Sequence, residues 1–309
     1  MFRSGNENQN SKINVEGLQS VNEMKYEAPE TIAAAVALLS AHGSMARVFA
    51  GGTDLIVQIK EEMTDPGVLV DIKRIKETRD IMIGTEEIVI GSAVTGAEIG
   101  ENAALKALYP GVVEAVQLIG SDQVQGRATI GGNLCNASPA ADSVPALIAA
   151  GTKAVIAGPD GTRKINVEDL LVKPGKTSLA SGEFITSFVL PRPAARSGDA
   201  YLRFIPRTEM DIAVVGAGVS VTLNSDGTCA AARLALGAVA PTARLVEQAS
   251  DILAGQKLDE DVLSKLAAAA SAACQPIDDK RGTIKFRTQV AGVLACRAAK
   301  IAWERAEKN

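Results

Sequence analysis

Apolar positions recur at helical spacing in some stretches and alternate or cluster in others, and the succession predicts a mixed helix-and-strand chain. Ile32, Val36 and Leu39 share one face of a helix over Pro29–Leu39, with Pro29 near the first turn and Gly43 as its stop. The short apolar strand Val48–Ala50 breaks at Gly51-Gly52-Thr53-Asp54, before a helix over Asp54–Glu61 and a strand around Val68–Asp71. This β-α-β alternation reads as a small α/β lobe. A hairpin, Ile81–Ile83 with Ile88–Ile90 across Gly84-Thr85-Glu86-Glu87, opens a second lobe. Helical periodicity then covers Glu98–Leu108, Val112–Ile119 and the apolar run Val144–Ala150. A second hairpin pairs Ala154–Ile156 with Lys164–Asn166 across Asp160-Gly161, a favoured turn dipeptide. Phe184–Leu190 is an extended run ended by Pro191.

Pro191–Gly198, with two prolines and small residues, is the best linker. Beyond it lie strand patterns at Tyr201–Ile205, Ala213–Leu223 and Ala230–Leu236, the last two joined by Asn224-Ser225-Asp226-Gly227. Helical patterns follow at Thr242–Leu253, Asp259–Ala272 and Ile284–Arg305. The C-terminal part is thus a three-stranded antiparallel sheet followed by helices, and the whole chain is α+β. Met1–Glu23 is polar and aperiodic, which reads as a disordered leader or as an arm that orders only against a partner. The boundaries that follow are residues 1–23, 24–196 in two lobes (about 24–78 and 79–196), and 197–309.

Composition narrows the function. In 309 residues, 47% hydrophobic against 22% charged is a globular balance with ample core. The net charge of −4 has both signs scattered, without the basic stripe that nucleic-acid binding requires. No apolar run approaches the roughly 18 residues of a membrane span, and the N-terminus lacks the regions of a secretory signal. Cys135, Cys229, Cys274 and Cys296 are far apart with no C-x-x-C, which speaks against an iron–sulfur or zinc site in this chain; their number allows disulfides, but the missing signal favours a reducing cytoplasm. The single histidine, His42, sits at a helix end before Gly43, so no histidine triad or histidine-rich metal site can form.

Candidate chemistry centres on Thr129-Ile130-Gly131-Gly132-Asn133 and its continuation through Ser138-Pro139 to Asp142. Nothing in it suits a helix or strand interior. Its two glycines allow backbone torsions and close approaches that a β-carbon forbids, and exposed N–H groups in such a turn make a concave anion site. Asp142 is placed to open the following helix as its N-cap. An ordinary tight loop before a capped helix is the bland alternative. The second diglycine, Gly51-Gly52, changes the balance: two such segments, each leading into a helix, could clasp a diphosphate from two sides. Val215-Gly216-Ala217-Gly218-Val219 lacks a third glycine and a following helix, so it reads as a strand with close backbone contacts and not as a dinucleotide fingerprint.

In order and spacing, Ala50-Gly51-Gly52-Thr53-Asp54-Leu55, Thr129–Asn133 and Ala137-Ser138-Pro139-Ala140-Ala141-Asp142 resemble the FAD-binding medium subunit of molybdenum hydroxylases. That family includes xanthine dehydrogenase, aerobic carbon monoxide dehydrogenase, nicotinate dehydrogenase and 4-hydroxybenzoyl-CoA reductase. The resemblance runs from about Lys25 to Trp303. It implies a two-lobed FAD-binding domain of the vanillyl-alcohol-oxidase/PCMH type followed by a C-terminal flavoprotein domain. It also implies non-covalent FAD, held by Val48, Phe49, Ala50, Gly51, Gly52, Thr53, Asp54 and Leu55 on one side and Thr129, Ile130, Gly131, Gly132 and Asn133 on the other. Ser138 and Asp142 match further cofactor positions, Asp142 one that holds a cofactor hydroxyl. Ile119, Phe184 and Ile185 match apolar positions against the cofactor, with core packing as the alternative. Arg203 matches a basic position that contacts the cofactor in xanthine dehydrogenase, where a lysine is usual. Arg207, Glu209 and Asp211, with Asp278–Gly282, look like a charge network at a domain junction or a docking surface for a partner subunit.

The resemblance further implies a large molybdopterin subunit and a small subunit with two-iron two-sulfur clusters, as a dimer of heterotrimers. The chain then takes electrons from those clusters and passes them to an external acceptor. The cysteine-bearing insertion of 4-hydroxybenzoyl-CoA reductase is absent. A stand-alone FAD-dependent oxidoreductase is the second reading, although the sequence offers no obvious acid or base for it. A scaffold protein is the third.

Overall fold

The computed structural model describes residues 24–207 and 210–309. The expected leader and Glu209 therefore lie outside the described residues. Three strands, β1 (Lys25–Glu27), β2 (Ala46–Phe49) and β3 (Val68–Asp71), form a parallel sheet in the order β1-β3-β2. Helix α1 (Ile32–His42) precedes β2, and α2 (Leu55–Lys60) joins β2 to β3. Parallel neighbours need such crossovers, so the period change in the sequence carries over directly. Helix α1 starts later than its pattern implied. Thr31 is its cap, accepting from the Ala34 N–H, and Pro29 lies outside. The core of this lobe includes Ala35, Leu39, Val68, Val70 and Ile72.

A second lobe contains β4 (Ile81–Ile83), β5 (Glu87–Gly91), α3 (Gly96–Glu101), α4 (Ala103–Leu108), α5 (Pro110–Gln117), α6 (Asp122–Gln125), α7 (Ile130–Cys135) and α8 (Ser143–Ala149). It continues through β6 (Lys153–Gly158), β7 (Gly161–Asn166), α9 (Val167–Leu170), β8 (Leu171–Lys173), β9 (Lys176–Thr177) and β10 (Phe184–Pro191). Its antiparallel sheet has the order β4-β5-β10-β6-β7. The single helix expected over Glu98–Leu108 is two, because Asn102 leaves the helical region (φ −78°, ψ 96°) and its side chain caps α4. Pro159 and Asp160 form the β6–β7 turn, and Gly161 carries the positive φ of 111°. Helix α5 ends at Gln117, so Ile119 lies beyond it.

The C-terminal part holds β11 (Ser197–Phe204), β12 (Val215–Leu223), β13 (Cys229–Gly237) and β14 (Arg244–Leu245), antiparallel in that order. The three long strands are those expected; the fourth is two residues taken from the start of the expected helix Thr242–Leu253, which shrinks to α10 (Gln248–Leu253). Of two longer helices, α12 (Ile284–Lys308) packs on β11 and β12, and α11 (Glu260–Ala272) packs against α12 and α10.

All seven residues of α8 are buried, and it packs against β12 and β13. A Cβ at Gly218 would lie 2.6 Å from the Pro145 carbonyl oxygen, and one at Gly237 would lie 2.7 Å from the Pro145 ring. The glycines in β12 thus serve backbone approach, as a strand glycine should. The core of the second lobe accordingly extends to Tyr201, Ala235 and Ala243 of the C-terminal part.

Among the described residues, the contacts of the expected junction network lie inside the C-terminal part. Asp211 faces Arg207 at 3.7 Å and Arg281 at 3.6 Å, while Arg287 donates to Asp279 at 2.7 Å and to the carbonyls of Val214 and Ala238. Bonds that do span the parts lie elsewhere, among them the pair of Arg305 of α12 with Glu114 of α5, where Arg305 also donates to the Asp199 carbonyl at 2.7 Å.

Beside that bridge, the Asp199 carboxyl accepts from the Val112 N–H at 3.0 Å, and its other oxygen has no partner among the described residues. Burial pushes its pKa up to about 7, against the opposing pull of the Val112 N–H and Arg305, with Glu114 adding to the rise. The native state therefore holds a proton that the unfolded chain has already lost above about pH 4. Stability from this group is complete at low pH and is lost as pH rises to about 7, by about 1.4 kcal/mol for each pH unit inside the window. Asp199→Asn keeps the acceptor for Val112 and removes the titration. Melting temperature followed from pH 5 to pH 7 will fall less in the variant than in the wild type; parallel curves exclude Asp199 as the group.

Candidate functional site

Strand β2 leads into Ala50-Gly51-Gly52-Thr53-Asp54 and then α2. Gly52 has φ +76°, which a side chain rarely adopts, and the Phe49 ring lies where its Cβ would be. At Gly51 the reason is contact: a Cβ would lie 2.2 Å from the Arg127 carbonyl oxygen. The first diglycine therefore abuts the backbone that leads into the second.

The second diglycine is not the tight loop expected. Thr129 has extended torsions and its Oγ1 accepts from the Gly132 N–H at 3.0 Å, so Gly131 and Gly132 form the first turn of α7. A capping hydroxyl outweighed the low helix propensity of two glycines. A Cβ at Gly131 would lie 2.5 Å from the Ser92 carbonyl oxygen. One at Gly132 would meet only Thr129 Oγ1, at 3.2 Å, and Gly132 is exposed.

Between the two segments lies a cavity of about 400 Å³. Of the residues expected at a cofactor site, Val48, Ala50, Gly51, Gly52, Thr53, Asp54, Leu55, Ile119, Thr129, Gly131, Gly132, Asn133, Phe184 and Ile185 line it. Phe184 and Ile185 are also core residues, at 1% and 3% exposure, so the two readings of that pair both hold. The β10–β6 register shifts between Ile185 and Ser187, a bulge of the kind that re-aims side chains beside sites.

The other expected residues lie off the lining. The Phe49 ring turns away to Tyr26 (centroids 6.4 Å apart) and lies under Lys73. Ile130 is fully buried, and Ser138 Oγ accepts from the Ala140 N–H at 3.3 Å. Asp142 does not cap α8: its torsions are helical and its side chain makes no capping bond. Instead its carboxylate accepts from Tyr201 Oη at 2.9 Å and Arg203 at 2.8 Å. The cap comes from Asn133, whose Oδ1 accepts from the Ser143 N–H (3.3 Å) and hydroxyl (2.7 Å). Burial pushes the Asp142 pKa up to about 6, although Arg203 and Tyr201 act to lower it.

Sequence reading missed Arg47, Gln58, Ile72, Ser92, Asn136, Thr177, Leu179 and Glu183 on the lining. Thr177 ends β9, and Leu179 and Glu183 lie between it and β10, where no motif marks them. Asn136 carried a signal in its nearness to the second diglycine. Its amide donates to Asp54 at 3.1 Å and its Oδ1 accepts from Gln58 at 3.0 Å, tying α7 to α2 across the cavity. Among the described residues no group of three His, Cys, Asp or Glu side chains is placed to hold a metal ion. No helix there is long and apolar enough to cross a membrane.

The arrangement offers main-chain N–H groups and threonine hydroxyls from two segments, with an apolar wall at Ile72, Ile119 and Ile185. That set suits a ligand with an anionic middle and a flat apolar end. Residues 22–193 match the family described as the FAD binding domain in molybdopterin dehydrogenase, and residues 200–302 match the CO dehydrogenase flavoprotein C-terminal domain. The carbon monoxide dehydrogenase medium chain of Hydrogenophaga pseudoflava is 34% identical over 281 residues, 91% of this chain and 97% of that one. The crystal structure of reconstituted CO dehydrogenase from Oligotropha carboxidovorans superposes with a TM-score of 0.87 at 34% identity, over 91% of this chain and 98% of that one. Quinoline 2-oxidoreductase from Pseudomonas putida 86 gives 0.83 at 27% identity, over 92% and 98%. With its two diglycine segments on one cavity and these matches across both parts, the chain belongs to the family of FAD-binding medium subunits of molybdenum hydroxylases.

Proposed function

We propose that the chain is the electron-relaying subunit of its complex, taking electrons from a partner's iron–sulfur clusters and passing them to an external acceptor. FAD, when bound, supplies the redox chemistry. Fit is indicated by Gly132, which lines the cavity together with the first diglycine and whose Cβ would meet only Thr129 Oγ1 of the protein itself. The amides of Gly51, Gly52 and Gly131 and the hydroxyls of Thr53 and Thr129 would hold the diphosphate, and the bare backbone of Gly132 would let it approach. Thr129 Oγ1 already accepts from Gly132, which leaves its hydrogen to donate. Val48, Ala50, Leu55, Ile119, Phe184 and Ile185 would supply apolar contact, and Asp54 and Asn133 would hold the loops through Asn136 and Ser143. Asp142 keeps lone pairs for a cofactor hydroxyl beside its bonds from Tyr201 and Arg203, and Arg203 and Ser138 back that edge.

Titratable groups on the cavity favour relay over substrate chemistry. Arg163 holds the Glu183 carboxyl below its ordinary range by a bidentate hydrogen bond, so Glu183 is a poor proton donor. Asp54, raised by burial, is tied to Asn136. Cys135, Cys229, Cys274 and Cys296 are all free thiols, in keeping with a reducing cytoplasm, where we place the complex as a dimer of heterotrimers.

The shared groove of the two diglycine segments carries this reading. The purified chain will show flavin absorbance, and saturating FAD will raise the unfolding free energy of the stripped protein by about 2.7 kcal/mol at a hundredfold excess over Kd. A colourless protein that FAD does not stabilise defeats it. Co-purification with an iron–sulfur chain and a molybdopterin chain separates the relay from a solitary flavoenzyme.

A further inference from the structure

A polar cluster lies behind the first diglycine, at the C-terminal ends of the parallel strands. Asp71, the last residue of β3, has a side chain only 5% exposed. It accepts from Tyr26 Oη, from the Lys73 N–H at 2.9 Å, and from Lys73 Nζ at 2.9 Å. Lys73 Nζ also donates to the Ala50 carbonyl at 2.8 Å and stands 4.2 Å above the Phe49 ring. The same ring fills the space beside Gly52, where a Cβ would lie 2.5 Å from it. One ammonium group therefore fixes the last residue of β2 through its ring and the residue before Gly51 through its carbonyl. Tyr26 and Lys73 together hold the Asp71 carboxyl below its ordinary range against the opposing effect of burial, so this anchor is charged at neutral pH.

We propose that Lys73 is a positioning residue for cofactor binding: by tying the Ala50 carbonyl and the Phe49 ring to Asp71, it sets the direction in which the Gly51 and Gly52 amides face the groove. The inference rests on FAD occupying that groove. Lys73 does not line the cavity, so its effect passes through the loop. A charge-assisted hydrogen bond and a cation–π contact act on one short segment, and both end with the ammonium. Arginine can supply the same two contacts; methionine can supply neither.

The test uses the full chain stripped of flavin, with Kd for FAD from fluorescence titration and the 31P spectrum of the bound cofactor. Lys73→Met will raise Kd about tenfold or more, and Lys73→Arg will stay within about threefold of the wild type. At saturating FAD the diphosphate 31P resonances of Lys73→Met will move while the visible absorption band keeps its position. An unchanged Kd overturns the proposal. So does a weakened Kd with unmoved 31P resonances, because a purely structural lysine gives that result. If Lys73→Met and the milder Lys73→Gln both fail to fold, Lys73 is structural and the proposal falls. Absence of FAD binding by the wild type instead defeats the reading of the groove itself.

Discussion

Gly132→Val will fold and come out colourless. A Cβ at that position, on an exposed residue, meets only Thr129 Oγ1, at 3.2 Å, a tight contact that a shift of a few tenths of an ångström in one side chain relieves. The added branches would stand on the lining of the cavity that Gly132 shares with Gly52, where the diphosphate is proposed to lie. A β-branched residue in the first turn of α7 costs little in place of glycine, since valine is the better helix former. Flavin content per chain will fall below detection, while far-ultraviolet circular dichroism and the melting temperature of the stripped protein stay near wild type. Flavin retained at wild-type stoichiometry shows that the cofactor passes elsewhere. The contrast with Gly51→Ala makes the test specific. Its Cβ would lie 2.2 Å from a main-chain oxygen, so that variant loses the fold before it loses the ligand.

Asp142→Ala will cost about 3–5 kcal/mol in the unfolding free energy of the stripped protein, the range for removing one partner of a buried ion pair. The Arg203 and Asp142 side chains are 6% and 10% exposed, and Arg203 Nε already lacks a partner among the described residues. Alanine would leave the guanidinium without its counter-charge and Tyr201 Oη, buried with it, without an acceptor. Asp142→Asn, which keeps an oxygen for one of the two donors, will lose less. Urea unfolding checks both, and a loss under about 1 kcal/mol for the alanine variant shows that this pair does not hold the second lobe to the C-terminal sheet. The sign with pH matters to the experiment. Burial raises the Asp142 pKa to about 6, so between about pH 4 and pH 6 the folded wild type holds a proton that the unfolded chain has lost; the gap to the alanine variant widens as pH falls through that window and is smallest above about pH 6.

Sequence and structure agree where the signal is local. The β-α-β start, the long strands of the C-terminal sheet and the helices over Glu260–Ala272 and Ile284–Lys308 lie close to where their periodicity put them. They part where one side chain redirects the backbone. Asn102 splits an apparently continuous helix, and Thr129 turns two glycines into a helical first turn. Asp142 shows the limit most clearly. As a carboxylate before an apolar helix it reads as a cap, yet Asn133 takes that bond and Asp142 pairs with Arg203 and Tyr201 on β11.

What the sequence determined by itself was the order of elements, the two diglycine segments and, through their spacing, the family. These depend on periodicity and on the absence of β-carbons, which are properties of the chain written in one dimension. Tertiary structure alone decided that the segments face one groove, that Asn136 ties α7 to α2, and that Lys73 reaches Ala50. Each of these is a contact between side chains or carbonyls brought together by packing, and their geometry is fixed only once the close approaches at Gly51, Gly131 and Gly218 set how the layers seat.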